Sequence, residues 1–371
     1  MALSHDRASG SLARASKTSR RTGAAPADRR SAAVMLGGSG GSDPLADVLR
    51  NIRLTGALCF LVDASTPWGV EVPAADTFRT MLVPRAEHLV SYHLILEGGG
   101  WVRVEGAPAV RFEAGDILMM PHGDPYAMLS RPDQRPEYDA PATVAFLREM
   151  AAGRMPLVVE EGGGGTPRTM YVCGYLGCDA RPFNPLLAAL PRLLHIQQSS
   201  AARTGLLGHL VACAMVEVRT GRFGGECIRL GLAELLFVEV VRRYLEALPV
   251  TGGGWLAGLR DPAVGRVLAM LHGHLAHRWT LRALADGAAL SRAALAERFL
   301  RLVGCPPIEY LTRWRMQVAA RLLADPGAKV SDVAARVGYE SDAAFSRAFK
   351  KATGLPPAAW RGRTHPAADT P

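Results

Sequence analysis

At 371 residues the chain is longer than one hydrophobic core usually organises, so two or three domains are expected. Hydrophobic residues at 49% and charged residues at 21% describe a globular protein, and the longest apolar stretch, 230–241, is too short and too interrupted by Glu234 and Glu239 to cross a bilayer. The net charge of +9 is uneven: residues 1–50 carry eight Lys and Arg against four acids, 51–250 eighteen against twenty-one, and 251–371 seventeen against nine, so the tail and the last third favour a polyanionic partner.

In chain order, residues 1–43 lack the continuous apolar segment of a secretory signal and read as a disordered basic tail, which places the protein in the cytoplasm. Glycine runs at 37–41, 162–165 and 252–254 punctuate the chain and suggest a tail, a central module and a C-terminal module. From Phe78 to Met128 the residues alternate in period two, as in "WVRVEG" at 101–106, and Gly/Pro turns break the runs. Short antiparallel strands are expected there. After Asn184 the spacing becomes helical: Leu207, Leu210, Val211, Ala214, Met215 and Val218 form one stripe, and Ile228–Leu248 a second, more apolar helix. These two helices are expected either to pack on the β module or to form a dimer interface. The six cysteines contain no CxxC pair; Cys173 and Cys178, five apart, read as buried core thiols or as a thiol sensor or metal pair.

The last third contains an internal repeat. At an offset of fifty, Ser291 matches Ser341, Leu295 matches Phe345, Phe299 matches Phe349, and Gly304-Cys305-Pro306-Pro307 matches Gly354-Leu355-Pro356-Pro357. Upstream the offset is forty-nine, pairing Leu281 with Val330, Leu284 with Val333, Ala285 with Ala334 and Ala289 with Gly338. Each copy begins with a capping residue, Thr280 or Ser331, followed by a short helix and a turn. A second cap, Ser291 or Ser341, then opens a helix that ends near a glycine and a Pro-Pro pair. That plan is helix-turn-helix, at 280–301 and 330–351, with residues 307–326 as one connecting helix.

Residues 255–363, through "TLRALADGAALSRAALAERFLRLVGCPPIEYLTRWRMQVAARLLAD" and "VSDVAARVGYESDAAFSRAFKKATGLPPAAWR", resemble the DNA-binding domain of the AraC/XylS family of bacterial transcription regulators. The resemblance implies that Asp342, Ala343, Ser346 and Arg347, behind the helix head Ser341, face bases, and that Lys350 and Lys351 meet phosphates. Arg347 is the leading candidate, because arginine can hold guanine O6 and N7 together. In the first copy the corresponding positions are Ala293, Ala296 and Glu297, with Arg292, Arg298 and Arg301 left to position the backbone, and Ala289 stands where the turn usually carries glycine. The second unit is therefore expected to dominate discrimination.

"GDILMMPHGDPYAM" at 115–128 resembles the second cupin motif through Gly115, Pro121 and Gly123, with Tyr126 in place of the metal-binding histidine. Residues 50 to 180 are similar to the cupin-type sensing domain of many AraC-like regulators. The paired His and Glu ligands of the first motif are missing, so no metal or cofactor is assigned, although His93, His122 and Tyr126 remain open as pocket residues or as an altered ligand set. Trp68, His93, Glu97, Trp101, His122 and Tyr126 are the candidate pocket residues for an effector.

The resulting expectation is an α+β multidomain protein: a tail (1–43), a cupin-like β-barrel sensor (44–182), a helical connector or dimerisation region (183–250), an all-α tandem helix-turn-helix domain (251–363) and a short tail (364–371). It is expected to act as a sequence-specific transcription regulator of promoter DNA and not as an enzyme. A small effector, a homodimer and, for an activator, RNA polymerase are the expected partners, with no membrane. The alternatives are a nonspecific DNA-binding protein, or a cupin enzyme fused to a DNA-binding domain.

Overall fold

In the computed structural model the described residues are 42–52, 54–84, 86–197, 205–220, 222–249 and 253–364. The expected tail at 1–43 lies outside them except for Ser42 and Asp43, and the expected tail at 364–371 except for Thr364. The first helix, α1 (Pro44–Asn51), is opened by Asp43, whose carboxylate accepts the N–H groups of Leu45 and Ala46. There follow β1 (Leu54–Thr66), β2 (Gly69–Val72), a 3-10 turn at Ala75–Thr77, α2 (Arg79–Leu82), β3 (His88–Glu97), β4 (Gly99–Val104), β5 (Val110–Glu113), β6 (Ile117–Met120), β7 (Tyr126–Leu129), α3 (Ala140–Ala151), β8 (Val158–Gly162), β9 (Gly165–Cys178), α4 (Pro185–Ala189) and β10 (Leu194–Ile196).

The strands form two sheets, a six-stranded one in the order β10-β6-β3-β9-β1-β8 and a four-stranded one in the order β2-β7-β4-β5. Only β1 and β8 run parallel. Period-two geometry sorts the long strands onto two cores. Phe60 and Val62 of β1, with Tyr171, Cys173 and Tyr175 of β9, face the four-stranded sheet, while Cys59, Leu61, Val172 and Leu176 face the helices that follow. Both faces of β1 and β9 are thus buried, which erases apolar-polar alternation and hides these two strands from the sequence pattern.

The glycine run at 162–165 is not a module boundary. It wraps the end of β1, where Gly163 N–H reaches the carbonyls of Ser65 and Pro67 and Gly164 N–H reaches Ser65 Oγ. A Cβ on Gly162 would lie 1.9 Å from the Ser65 carbonyl oxygen, so only glycine fits there. The expected connector also departs from a purely helical form: β10 pairs with β6 and extends the large sheet.

The helices after β10 are α5 (Leu206–Thr220), α6 (Gly225–Ala247), α7 (Trp255–Arg260), α8 (Pro262–Gly273), α9 (Leu281–Gly287), α10 (Arg292–Val303), α11 (Pro307–Leu323), α12 (Val330–Arg336), α13 (Asp342–Thr353) and α14 (Pro357–Thr364). Among the described residues no helix is long and apolar enough to cross a membrane. The core on the outer face of the large sheet continues through α5 to α8 into α10 and the first half of α11, ending at Tyr310, Leu311 and Trp314. The second half of α11, with Met316, Ala319, Ala320 and Leu323, belongs to a separate core with α12, α13 and α14.

The repeat appears as α9–α10 and α12–α13. Thr280, Ser291 and Ser341 cap as the sequence predicts, their hydroxyls accepting the N–H of Ala283, Ala294 and Ala344. Ser331 does not cap: α12 begins one residue earlier, behind Lys329, and has no side-chain cap. Pro307 and Pro357 begin α11 and α14 as well as ending the preceding helices, since a first-turn proline forfeits no helical hydrogen bond.

The two turns solve one backbone problem with different residues. Gly338 has φ +80° and a Cβ there would sit 2.7 Å from the carbonyl oxygen of Ala276, whereas Ala289 adopts φ 56° with its side chain exposed. Left-handed alanine costs about 1–2 kcal/mol, partly recovered through its lower unfolded-state entropy. Ala289→Gly is expected to raise stability by less than about 1 kcal/mol, and Gly338→Ala to lower it by more than about 1 kcal/mol, in denaturant unfolding of the full chain.

Candidate nucleic-acid interface and barrel cavity

Helix α13 is held down by Phe345 and Phe349, both fully buried. Phe349 meets Trp360 edge-on at 5.7 Å between centroids, and Phe345 meets Tyr339 at 5.7 Å. Burial of each phenylalanine contributes about 1.5–3 kcal/mol, enough to fix the rotation of a short helix about its axis. The opposite face then presents Ser341, Asp342, Ala343, Arg347, Lys350 and Lys351 to solvent, with Ser346 half-buried at the edge. Among the described residues Arg347, Lys350 and Lys351 make no ion pair. The lysines lie in the last helical turn, where the helix dipole favours a cation.

The corresponding face of α10 exposes Arg292, Ala293, Glu297 and Arg301, with Ala296 half-buried. Arg298 departs from the expected phosphate-contacting role. Its guanidinium takes Asp261 Oδ2 at 2.6 and 2.8 Å, and Asp261 also caps α8 by accepting the N–H of Ala263 and Val264. Burial alone would raise the Asp261 pKa, but these donors outweigh it and hold the carboxyl below its ordinary value. Arg298 is therefore committed to joining α10 to α8.

The two units are fixed to each other by the segment before α9. Arg315 of α11 donates to the carbonyls of Leu275 and His277 at 2.9 and 2.8 Å, Ala276 abuts Gly338 in the second turn, and Arg278 pairs with Glu340. The exposed faces of α10 and α13 are thus held at a set separation, the geometric requirement for two contacts on one duplex.

Between the two sheets lies a cavity of about 150 Å³. Its wall is mainly Phe60, Val62, Val72, Phe146, Leu147 and Tyr171, with His93, Thr143 and Glu161 supplying polar atoms. His93 Nε2 is 2.8 Å from the Tyr126 hydroxyl, but Nδ1 has no partner. Thr143 Oγ1 and Glu161 Oε2 are likewise buried and unpartnered. Burial pushes the His93 pKa down to about 3, so the ring is neutral. Burial also pushes the Glu161 carboxyl up to about 7, with Glu137 adding to the rise and Tyr171 opposing it.

Residues 43–246 match the cupin family and residues 284–363 the helix-turn-helix domain family. A Streptomyces lividans protein described as an AraC-like transcription regulator is 32% identical over 323 residues, spanning 86% of this chain and 98% of its own. This chain belongs to the AraC-like transcription regulators. A second such regulator, from Streptomyces antibioticus, is 30% identical over 87% of this chain and 100% of its own length. Among solved structures, the DNA-binding domain of AdpA in complex with a target DNA is 32% identical, covers 29% of this chain and 99% of that one, and has a TM-score of 0.27.

The regulator carries its DNA-binding helix-turn-helix domain behind a cupin domain. Of the six pocket residues expected from sequence, His93 lines the cavity and Tyr126 stands behind it. Trp68 is fully buried beside Tyr171, 5.7 Å between centroids, but does not line the cavity. Trp101 is half-buried on β4 and Glu97 is exposed at the end of β3. His122 is exposed and bonded to the Leu190 carbonyl at 2.8 Å.

Sequence reading missed Thr143 and Glu161. Thr143 lies on α3, which had not been recognised, and Glu161 adjoins the misread glycine run. Tyr171, Cys173 and Tyr175, at i, i+2 and i+4 of β9, share one face of that strand. Cys173 and Cys178 point to opposite faces of β9, and burial pushes both thiols up, so they form neither a pair nor a thiolate sensor. Among the described residues no three His, Cys, Asp or Glu side chains come together as a metal set.

His93 and Glu161 make opposing contributions to stability as pH falls. The depressed His93 pKa means that acidification below about 6.5 protonates the unfolded chain first and destabilises the fold, whereas the raised Glu161 pKa means that the folded state gains a proton first and is stabilised. Between about pH 7 and pH 5 each contribution is roughly 2 kcal/mol and they nearly cancel. Glu161→Gln is expected to lose about 2 kcal/mol more stability than wild type over that interval, measured by urea unfolding at each pH.

Proposed function

We propose that the regulator recognises a defined promoter sequence mainly through α13, and that a small effector in the barrel cavity alters this binding. The observation that carries the reading is the division of α13 into a fully buried Phe345/Phe349 face and an exposed face whose Arg347 has no ion-pair partner among the described residues. An uncommitted guanidinium pays no cost of breaking an ion pair when it meets guanine. The first unit offers Ala293, Ala296 and Glu297 in the same place. Methyl groups suit thymine and a carboxylate can accept from cytosine N4, but an acid near phosphates weakens binding, so α10 contributes less.

Effector control requires unequal affinity for two arrangements of the reader. Its route is the outer core, which runs from the large sheet to α10 and α11. The α5–α6 pair leaves Leu206, Val216, Ile228 and Leu235 exposed on its surface, which supports a homodimer with a second copy of this chain. Such a regulator works on chromosomal DNA in the cytoplasm and, where it activates, beside RNA polymerase.

Selection from random duplexes with the full chain is expected to yield one enriched motif. Arg347→Ala should flatten preference at one base position by about 1–3 kcal/mol, some five- to 150-fold. Glu297→Ala should leave the motif recognisable. Equal binding to all duplexes at physiological salt would favour the nonspecific alternative, since specific binding exceeds nonspecific by roughly 10³ or more.

A further inference from the structure

The barrel cavity has a chemical signature that narrows the class of effector. His93, Thr143 and Glu161, which line it from β3, α3 and β8, each hold a buried polar atom (Nδ1, Oγ1 and Oε2) that has no partner among the described residues. Unmet buried polar atoms cost free energy, and three among the residues around one cavity are most simply met by a bound molecule. The remaining wall is aliphatic and aromatic, so that molecule has an apolar body and one compact polar end. An apolar cavity of roughly 150 Å³ takes up benzene, which sets the scale of that body.

The sign of the polar end follows from the charges nearby. Glu160 and Glu161 both line the cavity, and Glu137 is close enough to raise Glu161 further. Among the described residues no Arg or Lys lines it, and the lining histidine is neutral. The guanidinium of Arg168, which feels the charge of Glu160, is paired with Asp63 at 2.7 Å. An anionic ligand would therefore meet two acids with no cation among the lining residues to offset them, whereas an ammonium would supply Glu161 with a countercharge and its missing hydrogen bond. The rings of Phe60, Phe146, Tyr138 and Tyr171 on the same wall add faces that attract a cation.

We propose that the cavity binds a small organic amine, its ammonium held by Glu161 and Thr143 beside His93 and its apolar body lodged among Phe60, Phe146 and Tyr171. The proposal rests on the reading of the barrel as the effector site and adds the class of molecule.

The test measures binding of three probes of similar shape to the full chain by calorimetry: phenethylamine, phenethyl alcohol and hydrocinnamate. The amine is expected to bind at least about tenfold more tightly than the other two, the scale of one charge-assisted hydrogen bond. Glu161→Gln should remove that advantage and Thr143→Val should reduce it, with operator binding and the unfolding midpoint showing that both variants fold. Equal or tighter binding of the alcohol or the acid, undiminished amine binding by Glu161→Gln, or no binding of any probe would each overturn the proposal. Operator affinity measured with the same probes separates the two readings. Amine binding without a change at the operator upholds the site and sinks its role as effector site. An operator response to the alcohol or the acid keeps that role and sinks the amine.

Discussion

Helix α11 forms a wall of two cores, and that shared burial constrains the whole C-terminal half. Tyr310, Leu311 and Trp314 enter the core that continues from the large sheet, while Met316, Ala319, Ala320 and Leu323 close the core under α13. Several polar groups at the junction bond across elements. The Tyr310 hydroxyl meets Trp255 Nε1 at 2.9 Å and His272 Nε2 at 2.8 Å, and His272 stacks on Trp314 at 4.4 Å. Gln317, almost fully buried, accepts the Phe183 N–H at 3.0 Å and donates to the Asn51 carbonyl at 3.4 Å, joining α11 to the cupin domain. Loss of either partner would leave a buried amide unmet, which gives these contacts weight beyond their number.

An asymmetry between the two units follows. The first helix-turn-helix shares the core that continues from the outer face of the large sheet. The second has its own core and joins the rest through α11 and the segment before α9. Close-packed interiors transmit shifts because their side chains have few alternative arrangements. The unit with the freer arginine is thus the one more removed from the barrel, and the unit with the poorer base-facing set is the one attached to it.

Tyr126, which stands where the resemblance to the second cupin motif puts a histidine, is hydrogen-bonded to His93 at 2.8 Å. Glycines of the motif remain because the backbone needs them: Gly123 has φ +68° and a Cβ there would come within 2.7 Å of the Ala75 side chain.

The sequence by itself determined the tandem readers. Their caps, turn residues and buried i, i+4 pairs are local signals, each acting within one helical turn, and the fifty-residue repeat displays most of them twice. It also determined that α13 offers Arg347 and α10 offers Glu297, because burial of Phe345/Phe349 and Leu295/Phe299 fixes the face that remains. Only the tertiary structure decided that Arg298 belongs to Asp261, that the glycine run at 162–165 wraps β1, and that Thr143 and Glu161 meet His93 around one cavity. Those pairings join residues 37, about 100 and 50 or more positions apart. Separations of that length are settled by how sheets and helices pack, and periodicity carries no record of them.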